Sequence, residues 1–198
     1  MEILLARSRS PRRLGILSGT FNPPTLAHLA LAKAALQRVD EVLFVLPRNF
    51  PHKSYHGATL DQRCQMLRQT LEPDSLLGLA VSDGGLFIDI ARETRRHYPE
   101  AELWFLCGAD AAERIIHWDY GTPDAFLRML DEFGLLVARR GTEYRWPAEF
   151  SHRVEALPMD SYDEVSSTAV RQRIAAGADW KPLVPPEIQQ QVAAIYSS

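Results

Sequence analysis

Residues 15–28 read Gly15-Ile-Leu-Ser-Gly-Thr-Phe-Asn-Pro-Pro-Thr-Leu-Ala-His28, and the run Leu29-Ala-Leu-Ala-Lys-Ala-Ala-Leu36 follows at once. Leu14–Leu17 is a short apolar run suited to a buried strand. Ser18–Pro24 is small, polar and proline-rich, which breaks regular structure. The Ala- and Leu-rich run is a strong helix former, with Thr25 at the N-cap position and His28 in the first turn. A strand, a glycine-containing loop and a helix N-terminus carrying Thr and His make a site for an anion. Free backbone N–H groups and the positive end of the helix dipole face the same place. The histidine adds a donor that can follow charge as it develops on a phosphate.

The rest of the chain repeats this alternation. Val42–Leu46 is a continuous apolar run ended by Pro47 and reads as a strand buried on both faces. Residues 47–59 are a polar loop that contains Pro51-His52-Lys53, and Leu60–Leu71 is amphipathic at helical spacing. Leu76–Val81, Leu103–Cys107, Gly134–Ala138 and Val154–Leu157 read as further strands. Phe87–Tyr98, Pro123–Leu130, Thr168–Ala176 and Pro186–Tyr196 read as helices. Buried strands alternating with helices predict an α/β fold, a Rossmann-like doubly wound parallel sheet with helices on both faces. Ligands of such sheets bind outside the carboxyl ends of the strands. Segments 18–28, 47–53 and 108–118 all lie just there.

At 198 residues, with 46% apolar residues, the chain suits one globular domain with a sizeable core. The expected division is a flexible basic tail over 1–13, which holds Arg7, Arg9, Arg12 and Arg13, and a single domain over 14–198. The formal charge of -3 gives no general pull toward a nucleic acid polymer. No run approaches the ~20 apolar residues of a membrane span. Cys64 and Cys107 lie far apart in apolar-periodic segments, as buried free thiols of a reducing cytoplasm do. Homo-oligomerisation is left open by the composition.

A second segment, Val165-Ser-Ser-Thr-Ala-Val-Arg171, carries chemistry. Ser166 or Ser167 is a good N-cap for the helix that Thr168 opens. Arg171 lies one turn in, beside that helix's positive end, which is unfavourable for an isolated helix. The placement makes sense if an anion sits there, because Arg binds phosphate in a bidentate manner.

The N-terminal stretch resembles the nucleotidylyltransferase superfamily, whose signature is a glycine-phenylalanine loop followed by (His or Thr)-x-Gly-His. Together with Ser-Ser-Thr-x-x-Arg, the chain resembles the bacterial nicotinate (nicotinamide) mononucleotide adenylyltransferases. The likeness runs from Gly15 to the C-terminal helix. It includes Gly19-Thr-Phe-Asn-Pro, Pro51-His-Lys, Arg63, Asp89 in an Ile-Asp-Ile run, Gly108-Ala-Asp, Trp118 and Leu183-Val-Pro.

The resemblance implies adenylyl transfer from ATP to nicotinate mononucleotide, with release of pyrophosphate and no protein nucleophile. It implies that His28 and Thr25 contact the ATP phosphates alongside Gly19, Thr20 and Phe21. Ser166, Ser167, Thr168 and Arg171 would hold the β- and γ-phosphates, and Asp110 the ribose. Lys53, with His52, would bring positive charge over the phosphates from their loop. Trp118 would stack on the pyridine ring, with Asp119 and residue 87 beside it. Mg²⁺ would travel with ATP, held mostly by phosphate oxygens and water.

Three positions depart from the family pattern. Ala27 replaces the glycine before the second histidine, Asn22 stands where Asp is common, and Phe87 replaces the Thr that helps recognise the nicotinate end. These departures keep two other readings in view. One is a same-fold transferase using nicotinamide mononucleotide, phosphopantetheine or another acceptor phosphate. The other is a catalytically weak paralogue that binds nucleotide.

Overall fold

The computed structural model describes residues 1–7, 10–49, 57–117, 121–122, 124–138, 146–159, 162 and 164–197. Strands β1 (Glu2–Leu5), β2 (Arg13–Ser18), β3 (Glu41–Pro47), β4 (Leu77–Ser82), β5 (Glu102–Gly108), β6 (Gly134–Ala138) and β7 (Val154–Leu157) form one sheet. Its order is β1-β4-β3-β2-β5-β6-β7. Every pair from β4 across to β7 is parallel, and β1 runs antiparallel along β4. The helices are α1 (Leu26–Ala35), α2 (Leu60–Leu71), α3 (Phe87–His97), α4 (Ala109–Ile116), α5 (Ala125–Leu130), α6 (Ser167–Ala175) and α7 (Gln189–Tyr196).

The central strands alternate between two cores, as a period of two requires. Leu14, Ile16, Leu43, Val45, Leu103 and Phe105 face the core covered by α3, α4 and α5. Leu17, Val42, Phe44, Leu46, Trp104 and Leu106 face the core covered by α1 and α2. A third cluster lies behind α2, where Met66 and Ala58 meet Val170, Leu183, Ile188 and Val192. That cluster fixes α6 and α7, so α2 is apolar on two sides. Among the described residues, no helix is long and apolar enough to cross a membrane.

Two elements differ from the sequence reading. Residues 2–5 were expected within a flexible basic tail, yet they form β1. Ile3 packs on one core and Leu4 and Leu5 on the other. Arg7 is likewise engaged, donating to the carbonyls of Leu77 at 2.8 Å and Leu71 at 2.7 Å. Helix α4 occupies the segment after β5 for which the sequence pattern predicts no element. Its signals are short but present: Gly108 at the N-cap, Asp110 in the first turn and buried Ala112 and Ile116 one turn apart.

The topology places the site. After β2 the chain winds outward through β3 and β4, then crosses back to lay β5 on the other side of β2. The crevice at this switch point, outside the carboxyl ends of β2 and β5, is where such sheets bind ligands. The loop 19–25 and the start of α4 both open onto it.

Gly134 has no room for a side chain, because a Cβ there would lie 2.5 Å from ring carbons of Trp104 and 2.9 Å from the Arg153 carbonyl oxygen. The indole is itself buried and held in register opposite Gly134. Gly134→Ala is therefore expected to lower unfolding free energy by about 1–3 kcal/mol, read as a shift in urea midpoint. A midpoint equal to that of the parent protein would show that this packing is soft.

The turn between β4 and α3 hangs on Glu93. Its carboxylate accepts from the Gly84 N–H at 2.7 Å and the Asp83 N–H at 3.0 Å. Burial alone would raise its pKa. The Gly84 N–H, the terminal ammonium and the Asp83 N–H outweigh burial and hold it below its ordinary value of 4.5. A depressed carboxylate stabilises the fold above the unfolded-state pKa, and that contribution fades as pH falls through the folded value. The stability difference between the parent and Glu93→Gln, measured by urea unfolding, should shrink as pH drops below 4.5. A difference constant with pH would contradict this role.

Candidate active site

The loop after β2 is held from several directions. Gly19 N–H donates to the Val45 carbonyl at 3.1 Å, which carries the parallel ladder one residue past the strand. Phe21 then adopts φ 45°, the left-handed region that bulky residues seldom occupy. Its ring is wholly buried, edge-on to His28 at 5.0 Å and tilted on Phe44 at 5.5 Å. Burial of the ring offsets the backbone strain, and strain of this kind gathers at functional loops. The buried Arg63 donates to the Thr20 carbonyl at 2.9 Å and so reaches into the loop from α2. Asn22 is buried too. Its side-chain oxygen accepts from the Tyr196 hydroxyl and from the Ala58 N–H at 3.3 Å.

Thr25 is the N-cap of α1, in extended backbone, as expected. Its N–H donates to His28 Nδ1 at 3.0 Å, and its hydroxyl oxygen lies 2.8 Å from the same nitrogen. A ring nitrogen that accepts an N–H carries no proton, so the imidazole proton is assigned to Nε2. The first turn thus fixes both the tautomer and the ring plane of His28.

The second signature meets the first. The Ser167 hydroxyl donates to the Pro23 carbonyl at 2.7 Å, across most of the length of the chain. Of the two serines, Ser166 is the cap, accepting from the Ala169 N–H at 3.1 Å. Arg171 donates to the Asn22 carbonyl and to the Thr168 hydroxyl, the latter at 3.3 Å. Thr168 and Ser166 are exposed beside it. The structure therefore brings Gly19, Thr20, Phe21, Thr25, His28, Ser166, Ser167, Thr168 and Arg171 to one region.

Charge completes the arrangement. Helices α2, α3 and α4 carry Asp61, Asp89 and Asp110 in their first turns, which satisfy the positive helix ends. Helices α1 and α6 have no acid there, and neither do the short helices α5 and α7. The N-termini of α1 and α6 are tied to one loop and carry His28 and Arg171 close by, an arrangement suited to an anion.

Across the switch point, Asp110 is exposed at the start of α4. Phe87 opens α3, but its ring is stacked on Phe105 at 4.2 Å and 14° and meets Phe133 edge-on. One face of that ring belongs to the core. Cys107, the last buried residue of β5, has its thiol pushed up to about 12 by burial, so it is no nucleophile at neutral pH. His52, Lys53, Trp118 and Asp119 lie outside the described residues. Sequence reasoning missed the parts of Arg63 and Tyr196 in holding the loop. Arg63 had a signal, a charged residue on the buried face of an amphipathic helix. Tyr196 had none, because its partner lies at the other end of the chain.

Residues 16–173 match the cytidylyltransferase-like family. A protein of Exiguobacterium sibiricum named as a probable nicotinate-nucleotide adenylyltransferase is 32% identical over 187 residues, which covers 91% of this chain and 95% of its own. One of the same name from Gloeobacter violaceus is 31% identical and covers 89% and 91%. Among solved structures, the Plasmodium falciparum nicotinic acid mononucleotide adenylyltransferase complexed with NaAD superposes with a TM-score of 0.69. That match has 17% identity and covers 91% of this chain and 96% of that one. The same enzyme complexed with APC gives 0.68 at 16% identity, covering 92% and 95%. These structures share the fold, and with the match over most of its length the chain belongs to the cytidylyltransferase-like family.

Proposed function

We propose that this protein is a nicotinate-nucleotide adenylyltransferase that joins ATP and nicotinate mononucleotide into deamido-NAD and pyrophosphate. The observation that carries the reading is the convergence of two acid-free helix N-termini on the 19–25 loop, with His28 and Arg171 beside them. The relatives from Exiguobacterium and Gloeobacter carry the name of this activity. The reaction belongs to the reducing cytoplasm, which the free thiols Cys64 and Cys107 suit.

In this reading the substrate is MgATP, with the cation held by phosphate oxygens and water. The 5′-phosphate oxygen of the mononucleotide attacks the α-phosphorus in line. The new P–O bond forms as the bond to the β-phosphate oxygen breaks, and pyrophosphate leaves with that electron pair. His28 Nε2–H donates to the α-phosphate region as charge grows there, since Thr25 reserves Nδ1. The N–H groups at the start of α6, with Ser166, Ser167, Thr168 and Arg171, hold the leaving pyrophosphate. Thr25, Gly19, Thr20 and Phe21 shape the loop under the phosphates, and Asp110 accepts from the ribose. On the family pattern alone, Lys53 and His52 bring charge over the phosphates from their loop and reach the acceptor side, where Trp118, Asp119 and Phe87 are assigned.

Catalysis here is positioning and charge stabilisation, so loss of one directed donor is costly. His28→Ala is expected to lower kcat/KM by ~10²–10³ in a pyrophosphate-release assay while the circular dichroism spectrum is unchanged. Activity within a few-fold of the parent would remove His28 from the mechanism.

Phe87 bears on the acceptor. Its stacked ring offers no hydrogen bond to the pyridine substituent. Losing one neutral hydrogen bond is worth roughly 0.5–1.5 kcal/mol, so preference for nicotinate over nicotinamide mononucleotide should be narrowed by up to about tenfold. The nicotinamide compound is thus the second acceptor to test. Measured kcat/KM for both acceptors checks this, and turnover of neither beside turnover of an unrelated phosphate would reassign the substrate.

A further inference from the structure

Asn22 joins three segments that are remote in sequence. Its side-chain oxygen accepts from the Tyr196 hydroxyl, in the last turn of α7, and from the Ala58 N–H just ahead of α2. Its carbonyl oxygen accepts from Arg171 on α6. The residue is only 6% exposed, so these bonds form in a setting where an unmet polar atom is costly. Gly57 is pressed against the same pair. A Cβ there would lie 2.8 Å from Tyr196 Cε1 and 3.1 Å from Asn22 Oδ1, and φ of 107° is open to glycine. Burial keeps the Tyr196 hydroxyl protonated at neutral pH, with its pKa raised to about 12.

We propose that Asn22 and Tyr196 are positioning residues for the triphosphate, a clip that sets the 19–25 loop and the Arg171 guanidinium in their anion-binding geometry. The inference rests on the nucleotide-binding reading above. The clip grips the residue directly after the strained Phe21, and the same residue's carbonyl holds Arg171. Releasing it lets both the loop backbone and the guanidinium drift from the phosphate position. The Tyr196 hydroxyl and the Ala58 N–H are both received by one oxygen, which a carboxylate at this position keeps and an aliphatic side chain does not. The Asn22 side chain acts through the loop and touches no reacting atom.

Tyr196→Phe, Asn22→Asp and Asn22→Leu separate this role from simple stability. Each is compared with the parent by steady-state kinetics and by calorimetric binding of a non-hydrolysable ATP analogue with Mg²⁺. Tyr196→Phe and Asn22→Leu should raise KM for ATP and weaken analogue binding by about three- to tenfold, with acceptor KM within about twofold. Asn22→Asp, which keeps the accepting oxygen, should bind the analogue more tightly than Asn22→Leu. If Tyr196→Phe loses thermal stability but keeps parental ATP affinity, the clip is merely structural and the inference falls. If Asn22→Asp weakens binding as much as Asn22→Leu, the oxygen is not the operative feature and the inference falls again. Should Asn22→Leu fail to fold, the Tyr196→Phe and Asn22→Asp pair still decides. A parent that binds the analogue but releases no pyrophosphate would sink the reaction assignment, while the binding series still judges the clip. A parent that binds no analogue would sink both.

Discussion

The hydrogen bond from the Ser167 hydroxyl to the Pro23 carbonyl, 2.7 Å long, is the contact on which the site depends. It joins the N-terminus of α6 to the loop that ends at the N-terminus of α1. Each helix end alone is an ordinary feature of an α/β protein. Joined, they place two positive dipole ends and their N–H groups around one space. The sheet supplies one of them through the strand switch at β2, and the apolar cluster behind α2 supplies the other. Helix α2 is therefore the element that couples the sheet to the C-terminal helices. Its second apolar side, with Met66, has that task.

The loop between these helix ends is rigid because buried groups hold it at successive residues. Arg63 takes the Thr20 carbonyl, the Phe21 ring fills the core, and Asn22 takes Tyr196 and Ala58. Ser167 then takes the Pro23 carbonyl and His28 takes the Thr25 N–H. A transferase without a protein nucleophile needs such preorganisation, because its donors must stand where charge develops rather than move there. That the first turns of α1 and α6 hold no acid, so that their positive ends stay open to an anion, is the electrostatic side of the same arrangement.

Much of this was legible in the sequence. Strands β2 to β6 carry apolar runs because they are buried on both faces, while the edge strand β7, with Glu155 inside it, is only half buried, and helices α1, α2 and α6 announce themselves by caps and spacing. Thr25 and His28 were readable because capping is local. Strand β1 was obscured by the arginines that follow it, although Ile3, Leu4 and Leu5 carry the apolar signal. Helix α4 is too short for periodicity to speak clearly. The clip at Asn22 was out of reach for a different reason. Its bond with Tyr196 spans nearly the whole chain, and no local rule pairs a loop asparagine with a C-terminal tyrosine. Phe87 was read by position as an acceptor residue, and only its stacking on Phe105 ties the ring to the core.

The most direct measurement is a crystal structure of the protein with Mg²⁺ and a non-hydrolysable ATP analogue. The account predicts the triphosphate between the N-termini of α1 and α6, with His28 Nε2 and the Arg171 guanidinium about 3 Å from phosphate oxygens. A triphosphate bound elsewhere, with water or nothing ordered at both helix ends, would contradict it.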